Sequence, residues 1–589
     1  PSPEAIDAMG DKAGAKALML AAGVPCIAGY SGTESTEAAL AARADAIGYP
    51  VMIKASAGGG GRGMRRVGRA DGFVAALRSA RSEAQGAFGD DRVILERALV
   101  GARHIEVQVF ADRQGNRVHL GERDCSVQRR HQKLIEEAPS PAVDAGLRER
   151  LGATALAALD AVAYEGAGTI EFLLDGEGAY FFMEMNTRLQ VEHPVTEAIT
   201  GLDLVEWQLR IAAGEPLPLA QHEIRFEGHA IEARLCAEDP LDSFMPQSGT
   251  LTLWRPPEGL RVEHALRSGM CIAPHYDSMI AKLVAHGPDR DDARRRLVAG
   301  LCDVVALGVP TNAAFLARCA SDPVFARGGA TTAFIDERAA LLLAGAAAET
   351  DRSAAASRQP DAASTANEAG RRERRAALAA LLCFQVPRHG AVCAVRTRPV
   401  VPALAHRLAL PMRLKVGGAD VAASVRRVGP DVVSVGLGPR EVVFELVEQG
   451  PDRLDFICDG VLESATFAAD AQGLWFHHRG ESLRVDDRTR SPPERASDAA
   501  SDGIVRASIS GRIVAVHVRA GDVVEAGARL VTLEAMKMEH AHPAPCAGTV
   551  VSVPVVPGEQ VASGRVLVEI EAAAELPADA TTEGRKEKT

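Results

Sequence analysis

Two apolar stretches, GTIEF (168–172) and YFFMEMN (180–186), each carry a carboxylate inside a predicted strand. An unpaired charge is expensive to bury, so Glu171 and Glu184 should face a cation. Carboxylates on adjacent strands, with the Asn186 amide two residues further on, form a hard oxygen site suited to Mg²⁺ that bridges ATP phosphates. The two stretches therefore predict a metal site that serves a nucleotide.

The segment 58–63 contains five glycines in six positions and follows the predicted strand YPVMIK (49–54). Such a run cannot form a stable helix or strand, and its backbone N–H groups could wrap phosphates. It lacks the terminal G-K-[ST] of a P-loop, so a different nucleotide fold is indicated. Alone, the run could equally be a flexible turn. The lysine before it, Lys54, and the carboxylates after it favour a phosphate loop.

A third chemical feature is Lys537, which stands between Met536 and Met538 and joins two copies of a β-rich unit. Residues 511–534 and 548–571 align at an offset of 37 with ten of 24 positions identical. This repeat predicts two equivalent sheets around a pseudo-twofold axis, with Lys537 exposed between the copies. Alternating residues such as Val514, Val516 and Val551 fit half-buried strands. The alternative, an ordinary solvated lysine, does not explain its place in the duplication.

Composition excludes several classes of protein. The chain has 589 residues, which suggests three or four domains. Its net charge is −12 and its pI is near 5.8, so no basic field attracts nucleic acid or anionic membranes. No apolar run is long enough to span a bilayer. The ten cysteines lack a C-x-x-C pair and indicate a reducing compartment. We therefore expect a cytoplasmic protein without nucleic-acid or membrane partners.

Long motifs then identify a family. RDCSVQRRHQK (123–133) and EMNTRLQVEHPVTE (184–197) resemble the signatures of biotin carboxylases, which are ATP-grasp enzymes, and the resemblance covers roughly residues 1–338. EAMKMEH (534–540) resembles the attachment site of biotin carboxyl carrier domains. Lipoyl domains share that fold but usually have an Asp-Lys-Ala core, so Met536 and Met538 favour biotin.

The resemblance implies a role for each matched residue. The implied ATP-binding residues are Lys12, Lys54, Gly60, Gly61, Met64, Glu96, His104, Gln128 and His131. The implied ligands of Mg²⁺ or Mn²⁺ are Glu171, Glu184 and Asn186, and the implied bicarbonate site is Arg188, Gln190 and Val191. The implied catalytic residues are Glu192 as general base, Lys133 beside the carboxyphosphate intermediate, Arg188, and Arg234 facing the biotin ureido oxygen. Biotin would be attached to Lys537.

The predicted fold is a multidomain α/β protein. It comprises an ATP-grasp biotin carboxylase module, a small antiparallel β-barrel bridging domain and a flattened β-barrel biotinyl carrier domain. The expected ranges are 1–200 (ATP-grasp), 201–340 (carboxylase C-terminal domain), 341–371 (flexible linker), 372–486 (bridging helix plus barrel), 487–503 (linker), 504–573 (carrier) and 574–589 (disordered tail). RRERRAALAALL (371–382) predicts a basic-faced helix.

The resemblance implies an α subunit of a biotin-dependent acyl-CoA carboxylase. It would carboxylate its own biotin with ATP and bicarbonate for a carboxyltransferase β subunit, in an α6β6 complex, after biotinylation by a biotin protein ligase. The segment FMPQSG (244–249) favours a methylcrotonyl or geranyl substrate type. In that family a Rossmann-like domain precedes the segment that starts here. Its absence from the printed chain motivates the alternative, a truncated, non-catalytic biotin carrier or scaffold.

Overall fold

The computed structural model describes residues 1–58, 63–344, 362–386, 408–470, 473–491, 503–535 and 538–572. Gly60, Gly61, Lys537, most of both predicted linkers and the predicted tail lie outside these residues. The chain forms two compact units: Pro1–Cys271 with Met279–Thr489, and Ile272–Ser278 with Arg490–Thr589.

All but the last of the described helices lie within residues 1–344, and the last is the later segment Ala362–Gln385. They are α1 (Pro3–Gly10), α2 (Lys12–Ala21), α3 (Glu37–Ile47), α4 (Phe73–Phe88), α5 (Ala145–Ala161), α6 (His193–Thr200), α7 (Leu204–Ala212), α8 (Arg290–Asp303), α9 (Ala313–Ser321), α10 (Pro323–Ala326), α11 (Phe334–Ala344) and α12 (Ala362–Gln385). Side-chain oxygens cap several N-termini, as when Asp11 accepts from the Gly14 N–H at 3.1 Å and begins α2.

The first eighteen strands also lie within residues 1–344. They are β1 (Gly29–Tyr30), β2 (Val51–Ala55), β3 (Arg65–Val67), β4 (Val93–Arg97), β5 (Arg103–Ala111), β6 (Arg117–Arg129), β7 (Gln132–Ala138), β8 (Gly166–Leu174), β9 (Tyr180–Asn186), β10 (His229–Cys236), β11 (Glu238–Asp239), β12 (Met245–Pro246), β13 (Gly249–Leu251), β14 (Leu253–Arg255), β15 (Arg261–His264), β16 (Met270–Ile272), β17 (Met279–Gly287) and β18 (Val305–Leu307).

Two sheets organise this part of the chain. A small sheet has the order β1-β4-β2-β3 and packs its apolar face on α3 and α4. The large sheet has eight strands in the order β15-β17-β10-β7-β6-β5-β8-β9, and every neighbouring pair is antiparallel. One face of β5 and β8 meets α5 through residues such as Ile105, Phe172 and Leu151. Because side chains alternate along a strand, the polar residues between them face the other way.

An eight-stranded barrel follows. Its strands are β19 (Leu410–Val416), β20 (Ala419–Arg427), β21 (Val432–Leu437), β22 (Arg440–Gln449), β23 (Arg453–Cys458), β24 (Val461–Ala469), β25 (Leu474–His478) and β26 (Glu481–Asp487). They close in sequence order, and β19 pairs with β26. The predicted antiparallel barrel is thus confirmed.

The predicted helix beside this barrel is confirmed as α12, but the prediction that it has one basic face is wrong. In α12 the charges are consecutive, from Arg371 to Arg375, so they surround one turn instead of marking one face. Residues 376–382 are all buried, and from 377 to 382 they belong to the barrel core with Phe444 and Phe476. The helix is apolar on all sides there because barrel strands surround it.

The second unit contains the duplicated segment. Its strands are β27 (Ile504–Arg506), β28 (Gly511–Val516), β29 (Val523–Val524), β30 (Arg529–Ala535), β31 (Met538–Pro543), β32 (Gly548–Ser552), β33 (Gln560–Val561) and β34 (Val566–Ala572). They form two four-stranded sheets, β27-β34-β32-β29 and β31-β30-β28-β33. Each sheet takes its two longer repeat strands from one copy and its short strand from the other.

The strands of this unit alternate between buried and exposed residues, as expected of half-buried strands. Val514 and Val551 lie on the exposed side, whereas Ile513 and Val550 are buried. Runs such as Ile513-Val514 and Val550-Val551 are apolar at both positions, so hydrophobicity alone could not decide which residue faces inward.

Candidate active site

A row of charged side chains crosses the large sheet at one level. Arg123 on β6, Glu106 on β5, Glu171 on β8 and Glu184 on β9 are successive register partners. Arg123 and Glu106 are fully buried, and the Arg123 Nε donates to Glu106 Oε1 at 2.5 Å. The row is viable because its carboxylates are paired with cations.

Lys133, near the start of β7, contacts three carboxylates. Its Nζ lies 2.5 Å from Glu106 Oε2, 2.6 Å from Glu192 Oε1 and 3.1 Å from Glu171 Oε1. Burial would lower the pKa of Lys133, but Glu106, Glu171 and Glu192 hold it well above its ordinary value. Lys133 is therefore a fixed cation at the centre of an anionic cluster.

Glu192 immediately precedes α6 and is held on both oxygens. Oε1 accepts from Lys133, and Oε2 accepts from Arg234 Nη2 at 3.0 Å. Burial would raise the pKa of Glu192, but Lys133, Arg234 and Arg123 lower it well below its usual range. The carboxylate is ionised, and its basicity depends on how closely these cations remain.

Behind Arg234 lies a pair of buried carboxyl groups. Arg234 Nε donates to Glu136 Oε1 at 2.5 Å, and Glu136 on β7 is the register partner of Glu232 on β10. Within the described residues, neither oxygen of Glu232 has a hydrogen-bond partner, and Glu136 Oε2 also lacks one. Burial raises the pKa of Glu136 to about 7 and, with the charge of Glu136, raises that of Glu232 further.

The predicted metal ligands converge. Glu171 and Glu184 are register partners, and the Asn186 amide donates to Glu171 Oε1 at 2.9 Å. Burial raises the pKa of Glu184, and the nearby Glu171 charge raises it further. Two facing carboxylates with this mutual repulsion fit a divalent cation that prefers oxygen ligands. The ligand atoms of His104, Glu106 and Glu171 also lie within 4.8 Å of one another, so the anionic cluster extends along the row.

The three predicted bicarbonate residues lie beside this cluster. Gln190 is buried, and its Nε2 donates to Glu171 Oε1 at 2.7 Å. Arg188 is more open, and its guanidinium donates to the Leu189 carbonyl and to Asn186 Oδ1. The Val191 carbonyl accepts from Lys282 Nζ at 2.9 Å.

The predicted nucleotide residues occupy both sheets. Lys54 on β2 and Lys16 on α2 each lie 2.6 Å from Glu96 on β4, so Glu96 bridges two lysines. Burial would raise the pKa of Glu96, but Lys54 and Lys16 lower it. Lys12 Nζ donates to the Gly58 carbonyl and lies 3.8 Å from Glu184. Lys12 and Lys16, four residues apart on α2, therefore contact different carboxylates.

The remaining nucleotide residues frame this region. His104 Nε2 lies 3.0 Å from Glu171 Oε2, and Gln128 is buried at the end of β6. His131 occupies the turn between β6 and β7 with a φ of 65°. Burial lowers its pKa, and Lys54 and His104 lower it further. Met64 follows the undescribed part of the glycine run and accepts a hydrogen bond from Arg65 at 2.9 Å through its carbonyl.

Several charged residues of the site were not predicted. Arg123 and Glu106 stand inside strands that are otherwise apolar, the same signal that identified Glu171. Glu136 and Glu232 gave a similar signal, but only the register of β7 with β10 reveals that they are neighbours. The contact of Lys16 gave no signal in the sequence, because its partner Glu96 is 80 residues away.

The attachment residue Lys537 lies outside the described residues. The strands that flank it are described: β30 ends at Ala535, β31 begins at Met538, and these two residues are register partners. None of the described helices combines the length and hydrophobicity that crossing a bilayer requires.

Three protein-family models match the chain. They are the carbamoyl-phosphate synthase L chain ATP-binding domain over residues 11–220, the biotin carboxylase C-terminal domain over residues 232–337, and the biotin-requiring enzyme domain over residues 504–570.

Curated proteins and solved structures are also similar. The mitochondrial methylcrotonoyl-CoA carboxylase subunit alpha of Dictyostelium discoideum is 38% identical over 559 residues, covering 93% of this chain and 78% of the relative. That of Rattus norvegicus is 40% identical over 562 residues, with 93% and 76% covered. The biotin carboxylase domain of Hydrogenobacter thermophilus 2-oxoglutarate carboxylase, solved with MgADP, ADP and bicarbonate, is 45% identical with a TM-score of 0.56. The match covers 57% of this chain and 75% of the solved chain.

Proposed function

Because this chain belongs to the family of biotin-dependent acyl-CoA carboxylase alpha subunits, we propose that it charges its own biotin for a partner carboxyltransferase subunit. The chain is a ligase of the biotin carboxylase type, and its cofactors are biotin, ATP and Mg²⁺. The observation that carries the proposal is the contact of one carboxylate, Glu192, with both Lys133 and Arg234.

Glu192 acts as the general base toward bicarbonate. Bicarbonate is a poor nucleophile until it loses its proton, and an ionised carboxylate can accept that proton. The pKa of Glu192 is low while Lys133 and Arg234 contact it. When the anionic substrates draw these cations toward themselves, that pKa rises and Glu192 becomes a stronger base.

Lys133 and Lys54 stabilise the phosphoryl-transfer step. Attack of bicarbonate on the γ-phosphoryl group of ATP spreads negative charge over its oxygens, and fixed cations stabilise that charge. Arg188, Gln190 and the Val191 backbone hold the bicarbonate. Glu171 and Glu184, with Asn186 alongside, would hold Mg²⁺, which would supply further positive charge next to the phosphates.

Arg234 serves the second half of the reaction. Its guanidinium presents a planar fork, which suits a ureido oxygen that becomes negative when the neighbouring nitrogen is deprotonated. Biotin is the acceptor of the carboxyl group, and Lys537 is the residue that would hold it. Glu136 holds the far side of the fork.

The partner subunit binds the acyl-CoA that accepts the carboxyl group. We infer a carboxyltransferase β subunit in an α6β6 complex, with a methylcrotonyl- or geranyl-type CoA substrate and attachment of biotin by a biotin protein ligase. Alpha subunits of methylcrotonoyl-CoA carboxylases are similar to 93% of this chain, and their name implies such a partner.

Bicarbonate-dependent ATP cleavage stimulated by free biotin tests the first half-reaction. Glu192→Gln should lower the rate by about 10²–10⁴-fold, the range typical of lost general-base catalysis. Glu258→Gln, at an exposed position, is the matched control and should retain the rate. A wild-type chain that cleaves no ATP but still carries biotin would instead support the carrier alternative.

The second half-reaction is tested with the purified complex. Mass spectrometry should find one biotin that Lys537→Ala removes. The complex with its β subunit should then carboxylate one member of an acyl-CoA panel. Equal amounts of attached biotin on Lys537→Ala and on wild type would contradict Lys537 as the attachment site.

A further inference from the structure

The barrel and the carboxylase C-terminal region line a half-open cavity of about 260 Å³ that lies away from the active site. Four segments meet around it: α8, α9, the charged turn of α12, and the turn between β25 and β26. The His477 ring contacts the Cys302 carbonyl at 2.8 Å nearby, so the walls are parts of one packed structure.

The lining of this cavity is strongly positive. It includes Arg318, Arg371, Arg372, Arg375 and Arg479, whereas its only acidic lining residue in the described part of the chain is Glu481. The whole chain carries a net charge of −12, so its composition does not explain a local excess of arginine.

Arg318 is the most informative of these residues. Its Nε donates to the Leu342 carbonyl at 2.6 Å, but its two Nη groups have no hydrogen-bond or ion-pair partner among the described residues. Burial lowers the pKa of Arg318, and Arg375 adds to the lowering, while Glu481 offsets part of it. The two Nη groups of this partly desolvated guanidinium can therefore donate to an anionic ligand.

Two of the other arginines are held in place by ion pairs. Arg375 lies 2.6 Å from Glu481, and Arg479 lies 2.7 Å from Glu463, which His478 also contacts. These ion pairs fix two guanidinium groups at the wall, near Arg318.

We propose that this arginine cavity binds a small phosphate-bearing anion. Guanidinium forks match phosphate oxygens in pairs, and arginine is more weakly hydrated than lysine, so a cluster of arginines suits this ligand. The cavity volume of about 260 Å³ leaves room for a phosphate or diphosphate group. The source is either free phosphate or the diphosphate of a larger molecule. Because its walls belong to both domains, the anion joins the barrel to the carboxylase region.

Calorimetric titration of the full-length chain tests the proposal. A non-hydrolysable ATP analogue first saturates the catalytic phosphate site, and inorganic phosphate or pyrophosphate is then added. Wild type should bind one anion. Arg318→Gln combined with Arg375→Gln should weaken binding at least about tenfold, because each removes a charge-assisted contact. Tighter binding of phosphate indicates the free ion as the source, and tighter binding of pyrophosphate indicates a diphosphate group.

The matched control is Arg295→Gln with Arg296→Gln, on the exposed side of α8. It removes the same charge from side chains that are 60% and 53% exposed and pair only with Asp291 and Asp292. Affinity should change by less than about twofold, since surface pairs contribute little. Equal weakening in both double variants, or no binding to wild type, overturns the proposal.

A second measurement does not depend on the variants folding. In wild type, pyrophosphate should slow amide hydrogen exchange in residues 314–321 and 479–481, which line the cavity. Unchanged exchange in both segments under saturating anion overturns the site even if heat is released elsewhere.

Discussion

Glu136 and Glu232 form a buried pair of carboxyl groups next to Arg234. Both carboxyl groups are fully buried on neighbouring strands, and Arg234 satisfies only one of their four oxygens. Two like charges at such a separation in the interior cannot both remain ionised without cost. The pair therefore retains a proton that the unfolded chain would release.

The sign of the resulting pH dependence follows from the raised pKa values. The unfolded chain releases these protons near its ordinary glutamate pKa, whereas the folded chain keeps the proton of Glu136 until about pH 7. The stability that the retained protons contribute is complete below the pKa of these groups in the unfolded chain. It is lost as the pH rises through their pKa in the folded chain.

We predict that Glu232→Gln flattens this dependence. The amide is neutral at every pH and can donate to Glu136 Oε2. The wild-type free energy of unfolding should fall more than that of Glu232→Gln between pH 5 and pH 7.5, because only wild type loses the Glu232 proton. The measurement is the calorimetric unfolding of both chains at the two pH values, with Glu258→Gln as an exposed control. Parallel curves for all three proteins would refute the shared proton.

The sequence identified most individual site residues because buried charges and long motifs are visible in one dimension. Glu171, Glu192 and Arg234 were predicted in this way, and the structure brings them into one cluster with Lys133. The contacts of Arg123 and Lys16 could not be predicted, since each depends on which strands become neighbours.

Among the elements, α12 has the most unusual surroundings. A helix normally buries one stripe, but here residues 377–382 are buried on every side by the barrel. Its sequence signal was misleading because the arginines at one end dominated the pattern. A similar ambiguity affected β28 and β32, whose adjacent apolar residues left the inward face undecided.

We predict that Leu381→Ala destabilises the barrel strongly. Leu381 has no exposed surface, and removing a buried leucine side chain typically costs about 2–5 kcal/mol through lost burial and the cavity that remains. Leu462→Ala, in the same barrel but 65% exposed, should change stability by less than about 0.5 kcal/mol. Urea unfolding compares the two variants. A small effect at Leu381 would show that α12 does not support the barrel.

At the scale of the whole molecule, the two compact units have separate cores. The second unit buries Ile513, Val550 and Leu567 among its own strands, and the large sheet packs against α5. The order of domain types was predictable from motifs and from the repeat. The closed barrel was predictable only as short alternating strands, because closure depends on the pairing of β19 with β26.

We predict that Val550→Asp unfolds the second unit alone. An unpaired carboxylate replaces a side chain that is 1% exposed, so that core should be lost. ATP cleavage with free biotin should remain within about twofold of wild type, since independent sites contribute additively. Val551→Asp, at the exposed neighbouring position, is the control and should still become biotinylated. Loss of free-biotin activity in Val550→Asp would show that the units depend on each other.

The exchange of β29 and β33 between the two sheets of the second unit has a historical consequence. Each repeat supplies the edge strand of the other sheet, so neither repeat completes a sheet by itself. Such an arrangement is what a domain-swapped homodimer becomes when its two chains are fused. The lysine itself is not duplicated, because the residue 37 places after Lys537 is Ala574. With biotin attached at Lys537, as we propose, one chain carries one activated group at a time.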